Sequence, residues 1–503
     1  MFHLRECHRV KLVLTLAVLF ALFAAACGDR DDAGAAGVPP DESAASDGDD
    51  SEVDDGDDGD GDVELDDGEL EVDEANSDSV GSDGLGSDGV ASEDGPIEAP
   101  DVPPADSGVP PEETFRGVTD ASIKLGFTAP DNDGIGELNG EPQSISASIA
   151  EAFAADLNDR GGVGDRQVEL LVGSTVPEDI DSAREACRRL AEEEQVFAVL
   201  NGFSGNATAS ANTCITEEFE TILVGGAPST EQLGRSLAPW ITPEMNVNRR
   251  AAALGQLLGE TGYVAEVGRL AVVAAHPDLE SLSGSVTEAL SAAGADVVFS
   301  VALTDPSDPE VTAEEMAAIA NQLESDEVTS VLQVGTDPSL SDALVAGDAG
   351  TTLILFDGDS SDPRELVNLG AEDTLLAVLT PPGPVDEQDA ETARCVAVVE
   401  SRLNVDVTPP SLSDPAELDY WGTTLSTCRL FTIFESLALV AGADLTAETF
   451  AGALDSFGAQ PLAGYPITSL SSSKTDARDS LSLAQWNGET SAWTSLTDTV
   501  NFG

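Results

Sequence analysis

Lysine is almost missing from this chain. Its 503 residues include three, Lys11, Lys124 and Lys474, and arginine raises the basic total only to 21 against 95 acids. A formal charge of −74 excludes nucleic acid as a partner, because phosphate contacts need Lys and Arg. Histidine is equally scarce, and beyond the first 27 residues only His276 remains. A serine triad needs a histidine beside an oriented nucleophile, and no G-x-S-x-G stretch occurs. The nearest sequence, "GFSGN" at Gly202–Asn206, lacks that elbow, so a hydrolase is a weak reading. His276 reads as a loop residue after a strand, or as part of a cleft lining. No two cysteines have the close spacing of metal ligands, so no metal and no cofactor is expected. Past residue 26 no apolar run is long enough to span a membrane.

What is present begins with a leader. Arg5, Arg9 and Lys11 precede an apolar run of 15 residues, Leu12 to Ala26. That length is short for a membrane span and suits an export signal. The run ends "FAAAC" and resembles the lipobox of bacterial lipoproteins. The resemblance implies a leader over residues 1–27 and a lipid on Cys27, which would hold the protein at the membrane outside the cytoplasm. Ala24 stands where leucine is more usual, and an ordinary cleaved signal with an incidental cysteine is the alternative. Residues 28–113 carry 32 acids and one basic residue, Arg30. Such a segment cannot bury enough apolar surface to offset its ordering entropy, so it reads as a disordered acidic linker. A flexible chain of that length spans on the order of 50 Å, further extended by charge repulsion. "DGDDGDGD" lacks the ligand spacing and closing Glu of a calcium loop.

Residues 114–503 are too many for one ordinary core and suit two lobes. Four cysteines remain there, an even set that suggests disulfides outside the cytoplasm. Sequence proximity favours Cys187–Cys214 and Cys395–Cys428, each closing a loop that stabilises by about 3–4 kcal/mol. Nine apolar runs read as strands: 123–128, 168–172, 196–200, 221–224, 269–275, 297–303, 330–334, 352–356 and 375–379. Helical patterns such as "SAREACRRLAEEE" separate most of them, with a break near Trp240–Asn248. Strand and helix in alternation predict an α/β fold of two Rossmann-like lobes, each a parallel sheet flanked by helices. The glycines of "NDRGGVGDRQVELLV" follow a helix and precede a strand. A phosphate loop needs the opposite order, so they predict a helix-to-strand turn with Gly161 as the C-cap.

Several stretches taken in order resemble type I periplasmic solute-binding proteins of the branched-chain amino acid (leucine/isoleucine/valine) ABC transporter branch. They are "GVTDASIKLGFTAP", "AFAADLNDRGGVGDRQVELLV", "ACRRLAEEEQVFAVLNGFSGNATASANTC", "GRLAVVAAHPD" and "LSLAQWNGETSAW". The resemblance covers most of 117–503. It implies lobe 1 at about 117–243 and 384–464, lobe 2 at about 244–383 and 465–503, and a hinge of several crossovers.

In open parallel sheets ligands sit beyond the carboxyl ends of strands. The loops "NGFSGNATAS" and "GGAPSTEQ" are rich in hydroxyls and should open helices, whose free N–H groups suit a carboxylate. The resemblance assigns that role to Ser204, Asn206, Ala227 and Ser229, with simple helix capping as the alternative. In the second lobe Asp337, Asp357 and Asp359 stand in loops where an acid could meet an ammonium. The aromatics usual in the family are missing there, which puts leucine-like ligands in doubt. The implied function is a substrate-binding lipoprotein of an ABC importer, not an enzyme, that closes on a small amino-acid-like or amide solute and docks on an ABC permease. An extracellular sensor of the same fold, without transport, is the alternative.

Overall fold

The computed structural model describes residues 115–130, 145–176, 179–201, 206–304, 309–335, 340–341, 343–344, 351–356, 375–379, 389–409, 420–487 and 492–503. The leader, Cys27 and the acidic linker lie outside them.

The first sheet has five parallel strands in the order β2-β1-β3-β4-β5. They are β1 (Ser122–Pro130), β2 (Gln167–Thr175), β3 (Ala198–Asn201), β4 (Ile222–Gly225) and β5 (Trp240–Ile241). The near-continuous apolar runs of the central strands β3 and β4 bury both faces, as a helix-covered parallel sheet requires, while edge strand β2 alternates with exposed residues. The short edge strand β5 falls inside the break expected at Trp240–Asn248; two residues carry too little pattern to read as a strand. Helix α1 (Ile145–Asp159) follows β1, α2 (Ile180–Cys187) follows β2, α3 (Asn206–Thr213) follows β3 and α4 (Thr230–Arg235) follows β4.

The second sheet departs from the expectation of two parallel sheets. Strands β6 (Arg269–Ala274), β7 (Asp296–Ala302), β8 (Ser330–Val334), β9 (Thr352–Leu355) and β10 (Leu375–Leu379) are parallel. Beside β10, however, lies β11 (Ser480–Asn487), antiparallel, and it forms a hairpin with β12 (Ala492–Ser495). The sheet is therefore mixed, in the order β12-β11-β10-β9-β8-β6-β7. The reason is connectivity: the chain returns from the first lobe through β11 without a crossover helix, so β11 runs against β10. Trp486 and Trp493 face each other across the hairpin with ring centroids 5.4 Å apart.

Five further helices of 13 or more residues are described: α5 (Val247–Thr261), α6 (Glu280–Ala292), α7 (Ala390–Leu403) and α8 (Tyr420–Ala441), and one over Pro309–Ser325 that lies between β7 and β8 in the chain. Against the expectation that no apolar run past residue 26 is long enough to span a membrane, helix α8 is long and apolar enough to do so, yet it is mostly buried in the first core, with Phe431 against Phe153 and Phe434 against Phe197. Both disulfides have the pairing that sequence proximity favoured. Cys187–Cys214 joins the ends of α2 and α3, and Cys395–Cys428 joins α7 to α8.

The glycine-rich turn ends α1 as the order of elements predicts. Gly161 N–H donates to Asn158 O at 3.0 Å and Gly162 N–H to Leu157 O at 2.9 Å, a Schellman pair with Gly161 at the left-handed position. Gly162 is the more demanding site: its φ is 76°, and an added Cβ would lie 1.9 Å from Arg166 O. The Asn158 amide clamps the next strand, donating to Val168 O and accepting from Val168 N–H.

Two crossings between the sheets are described, 242–246 outward and 474–480 in return, and they touch. Thr242 N–H donates to Thr475 O, and Ala477 N–H donates to Thr242 O. Around them gather four of the basic residues. The Arg249 guanidinium binds both Asp476 and Asp479, whose side chains are only 6% and 3% exposed. Lys474 Nζ lies 3.0 Å from Asp479, and burial pushes its ammonium below the ordinary pKa. Glu244 accepts from the Tyr465 hydroxyl at 2.7 Å, while Arg429 and Arg478 lie 4.0 Å and 4.8 Å from the Tyr465 ring centroid. Arg478 is fully buried and pairs with Glu244 at 3.4 Å.

Two expectations follow. In urea titrations Gly164→Ala, at an open left-handed site, should cost about 1 kcal/mol, and Gly162→Ala at least twice that, because it adds a backbone collision. Arg249→Met should cost about 3–5 kcal/mol, because two buried carboxylates lose a partner, whereas Arg184→Met, at an exposed pair with Glu218, should change little.

Candidate functional site

The carboxyl ends of β1, β3, β4 and β5 lie on one edge of the first sheet, because all four are parallel. From β5 the chain passes directly into the crossing at Thr242, so this edge faces the second lobe. The first turn of α5 marks the meeting point. On one side Val247 N–H donates to Pro228 O at 3.1 Å, and Asn248 Oδ1 accepts from Thr230 N–H at 2.9 Å. On the other, Arg250 donates to Val378 O near the end of β10 and stacks 5.1 Å over Phe356, just past β9. The carboxyl ends of β4, β9 and β10 therefore converge on residues 247–250.

The floor of the first-lobe edge is a buried amide relay. Thr128 Oγ1 donates to Asn201 Oδ1 at 2.8 Å, and Asn201 Nδ2 donates to Asn212 Oδ1 at 3.0 Å. Above it lies the Gly225–Gly226 turn, with φ of 119° and 70°. A Cβ at Gly226 would stand 2.8 Å from Asn212 Nδ2, so only glycine lets the turn settle on the relay. Both carbonyls of the turn are held, Gly225 O by Trp240 Nε1 at 2.8 Å and Gly226 O by the Thr242 hydroxyl.

From this turn the chain runs through Ala227, which is exposed, to Ser229, which is half-buried. Ser229 is the N-cap of α4: its hydroxyl accepts from Gln232 N–H at 3.1 Å, and Gln232 Oε1 accepts from Ser229 N–H. Capping is thus a real role for Ser229, but it uses a lone pair and leaves the O–H proton for an acceptor. Asn206 is the first residue of α3. Ser204, Asp337, Asp357 and Asp359 lie outside the described residues. His276 lies two residues past the end of β6 and is half-buried, its carbonyl accepting from Leu279 N–H.

Sequence reasoning missed Thr128, Asn201, Asn212, Trp240 and Thr242. A signal existed for two of them, because the apolar runs of β1 and β3 reach a polar side chain at Thr128 and Asn201. The position of Asn212, eleven residues on, follows only from the fold. Elsewhere Glu391 lies beside Cys395 and Cys428, the one grouping of metal-type ligands among the described residues. Its sulfurs are joined in a disulfide, and its carboxylate accepts from Arg394 and Thr432. Burial works against the charged form of Glu391, but the Arg394 guanidinium and the Thr432 hydroxyl outweigh it and hold the carboxyl below its usual range.

Solved structures share this architecture. An ABC transporter substrate-binding protein from Desulfitobacterium hafniense in complex with leucine superposes with TM-score 0.53 at 12% identity, covering 75% of this chain and 100% of that one. A solute-binding protein from R. palustris in complex with 4-hydroxybenzoate gives 0.58 at 12% identity, over 76% and 97%. A fatty acid ABC transporter substrate-binding protein from Thermomonospora curvata gives 0.56 at 15%, over 78% and 95%. Among curated proteins none matches in sequence. The model of a family described as periplasmic binding protein matches residues 122–490, from the first residue of β1 to just past β11. By that match, over most of its length, the chain belongs to the periplasmic binding protein family.

Proposed function

We propose that this chain is the extracytoplasmic binding component of an ABC importer, taking a small amino-acid-like or amide solute by closure of its two lobes. The observation that carries the reading is the Gly225–Gly226 turn, held at both carbonyls and set where the carboxyl ends of both sheets meet. A turn fixed in this way presents the Ala227 N–H and the Ser229 hydroxyl as preorganised donors, which suits a carboxylate. Ser204 and Asn206, from the loop after β3, complete that donor set. Leucine, 4-hydroxybenzoate and fatty acids, named with the three similar structures, all carry a carboxylate. Asp337, Asp357 and Asp359 meet the cationic end of the solute from the second lobe. The lobes divide near 243/244 and 383/384, a division supported by separate buried cores around Phe127, Phe197 and Phe434 and around Val272, Ile354 and Leu483, while the third boundary, expected at 464/465, falls later in the chain. Tyr465, Leu470 and Ala477 pack with the first core. A lipid on Cys27 and the acidic linker tether the domain to the membrane, where the closed form docks on the permease.

A thermal-shift panel of leucine, polar amino acids, 4-hydroxybenzoate, octanoate, acetamide and urea tests the ligand class. A true ligand at 100 times its Kd should stabilise by about 2.7 kcal/mol. Ser229→Ala should weaken a carboxylate ligand by about tenfold, while Ser229→Thr retains most of the affinity. A folded protein that no panel member stabilises would refute the proposal. For the anchor, Cys27→Ser should release the protein from host membranes into the soluble fraction, and mass spectrometry of the wild-type N-terminal peptide should show an acylated cysteine.

A further inference from the structure

The loop that offers the ligand donors is bonded to its own lobe and also to the hinge and the second lobe. Three contacts make this link. Gly226 O accepts from the Thr242 hydroxyl, Pro228 O accepts from Val247 N–H, and Asn248 Oδ1 accepts from Thr230 N–H. Thr242 is fully buried at the start of the outward crossing. Its oxygen also accepts from Glu244 N–H at 3.1 Å, and its backbone pairs with Thr475 and Ala477 of the return crossing. Asn248 stands on α5, and its Nδ2 donates to Ser285 Oγ of α6 at 3.4 Å. One side chain thus joins the ligand loop of the first lobe to two helices of the second.

We infer that Thr242 and Asn248 are positioning residues that make the Gly226–Thr230 loop a moving part of the hinge. The loop holds its donors in register only at lobe angles that keep both contacts. Solute bound there therefore biases the hinge directly, without a relay through either core. The inference rests on the solute-binding reading above, because it assigns the loop its ligand role. The physical link itself can be read without ligand.

The test is hydrogen exchange of the Ala227, Ser229 and Thr230 amides in ligand-free, full-length protein. Among the described hydrogen bonds and ion pairs, those of Arg249 go to Asn246, Asp476, Arg478 and Asp479 and not to Thr242 or the loop, so it holds the return crossing. Arg249→Met should therefore accelerate loop exchange by about tenfold in an otherwise wild-type chain. In a Thr242→Val/Asn248→Ala background, where the loop is already released, Arg249→Met should add little, a non-additivity that marks coupling. Thr242→Ser, which keeps the hydroxyl, should restore the wild-type response. Arg249→Lys serves in place of methionine if the latter does not fold. An unchanged loop in the Arg249 variant, or equal acceleration in both backgrounds, would overturn the inference. A ligand panel that fails while the exchange coupling holds would remove the solute reading and leave the mechanical link standing.

Discussion

A buried meeting of opposite charges at the crossings sets the terms for the rest of this molecule. A formal charge of −74 makes the chain as a whole self-repelling. Yet Arg249, Arg429, Lys474 and Arg478 gather with Glu244, Asp476 and Asp479 where the lobes join. Carboxylates as buried as Asp476 and Asp479 are tolerable only when paired and hydrogen-bonded. The pairing in turn demands that both crossings lie side by side, so the join between the lobes is specified by charge as well as by backbone.

The candidate site depends on that join. Its double-glycine turn is fixed by Trp240 and Thr242, the strand and the crossing that lead out of the first lobe. The same crossing delivers α5, whose first turn meets the loop on one side and the ends of β9 and β10 on the other. The loop and the crossing are therefore neighbours in space. Under the proposed function, a solute on the loop would sit one hydrogen bond from the crossing, through Thr242.

Much of the fold was legible. Strands such as Ser330–Val334 and Thr352–Leu355 are short apolar runs buried on both faces, and that pattern survives in one dimension. The turn at Gly161–Gly164 followed from the order of elements, and the disulfide partners from proximity. β5 and the direction of β11 were not legible. The first is two residues long, and the second depends on where the chain re-enters the sheet, which no local pattern records. In the candidate site, the rule that ligands sit beyond the ends of parallel strands named the loop after β4, and the resemblance named Ala227 and Ser229 within it, a role that remains a proposal. Asn201 and Asn212 were passed over because single amides look alike until folding buries them.

The sequence by itself determined the α/β alternation and the acidic character, because composition and period are local properties. The tertiary structure alone decided that Arg249 would find Asp476 and Asp479, more than 220 residues on, and that Thr242 would hold Gly226. Those contacts join segments remote or unpatterned in sequence. They exist because two crossing strands must share one narrow, largely dehydrated space, where each buried polar group has to meet a partner.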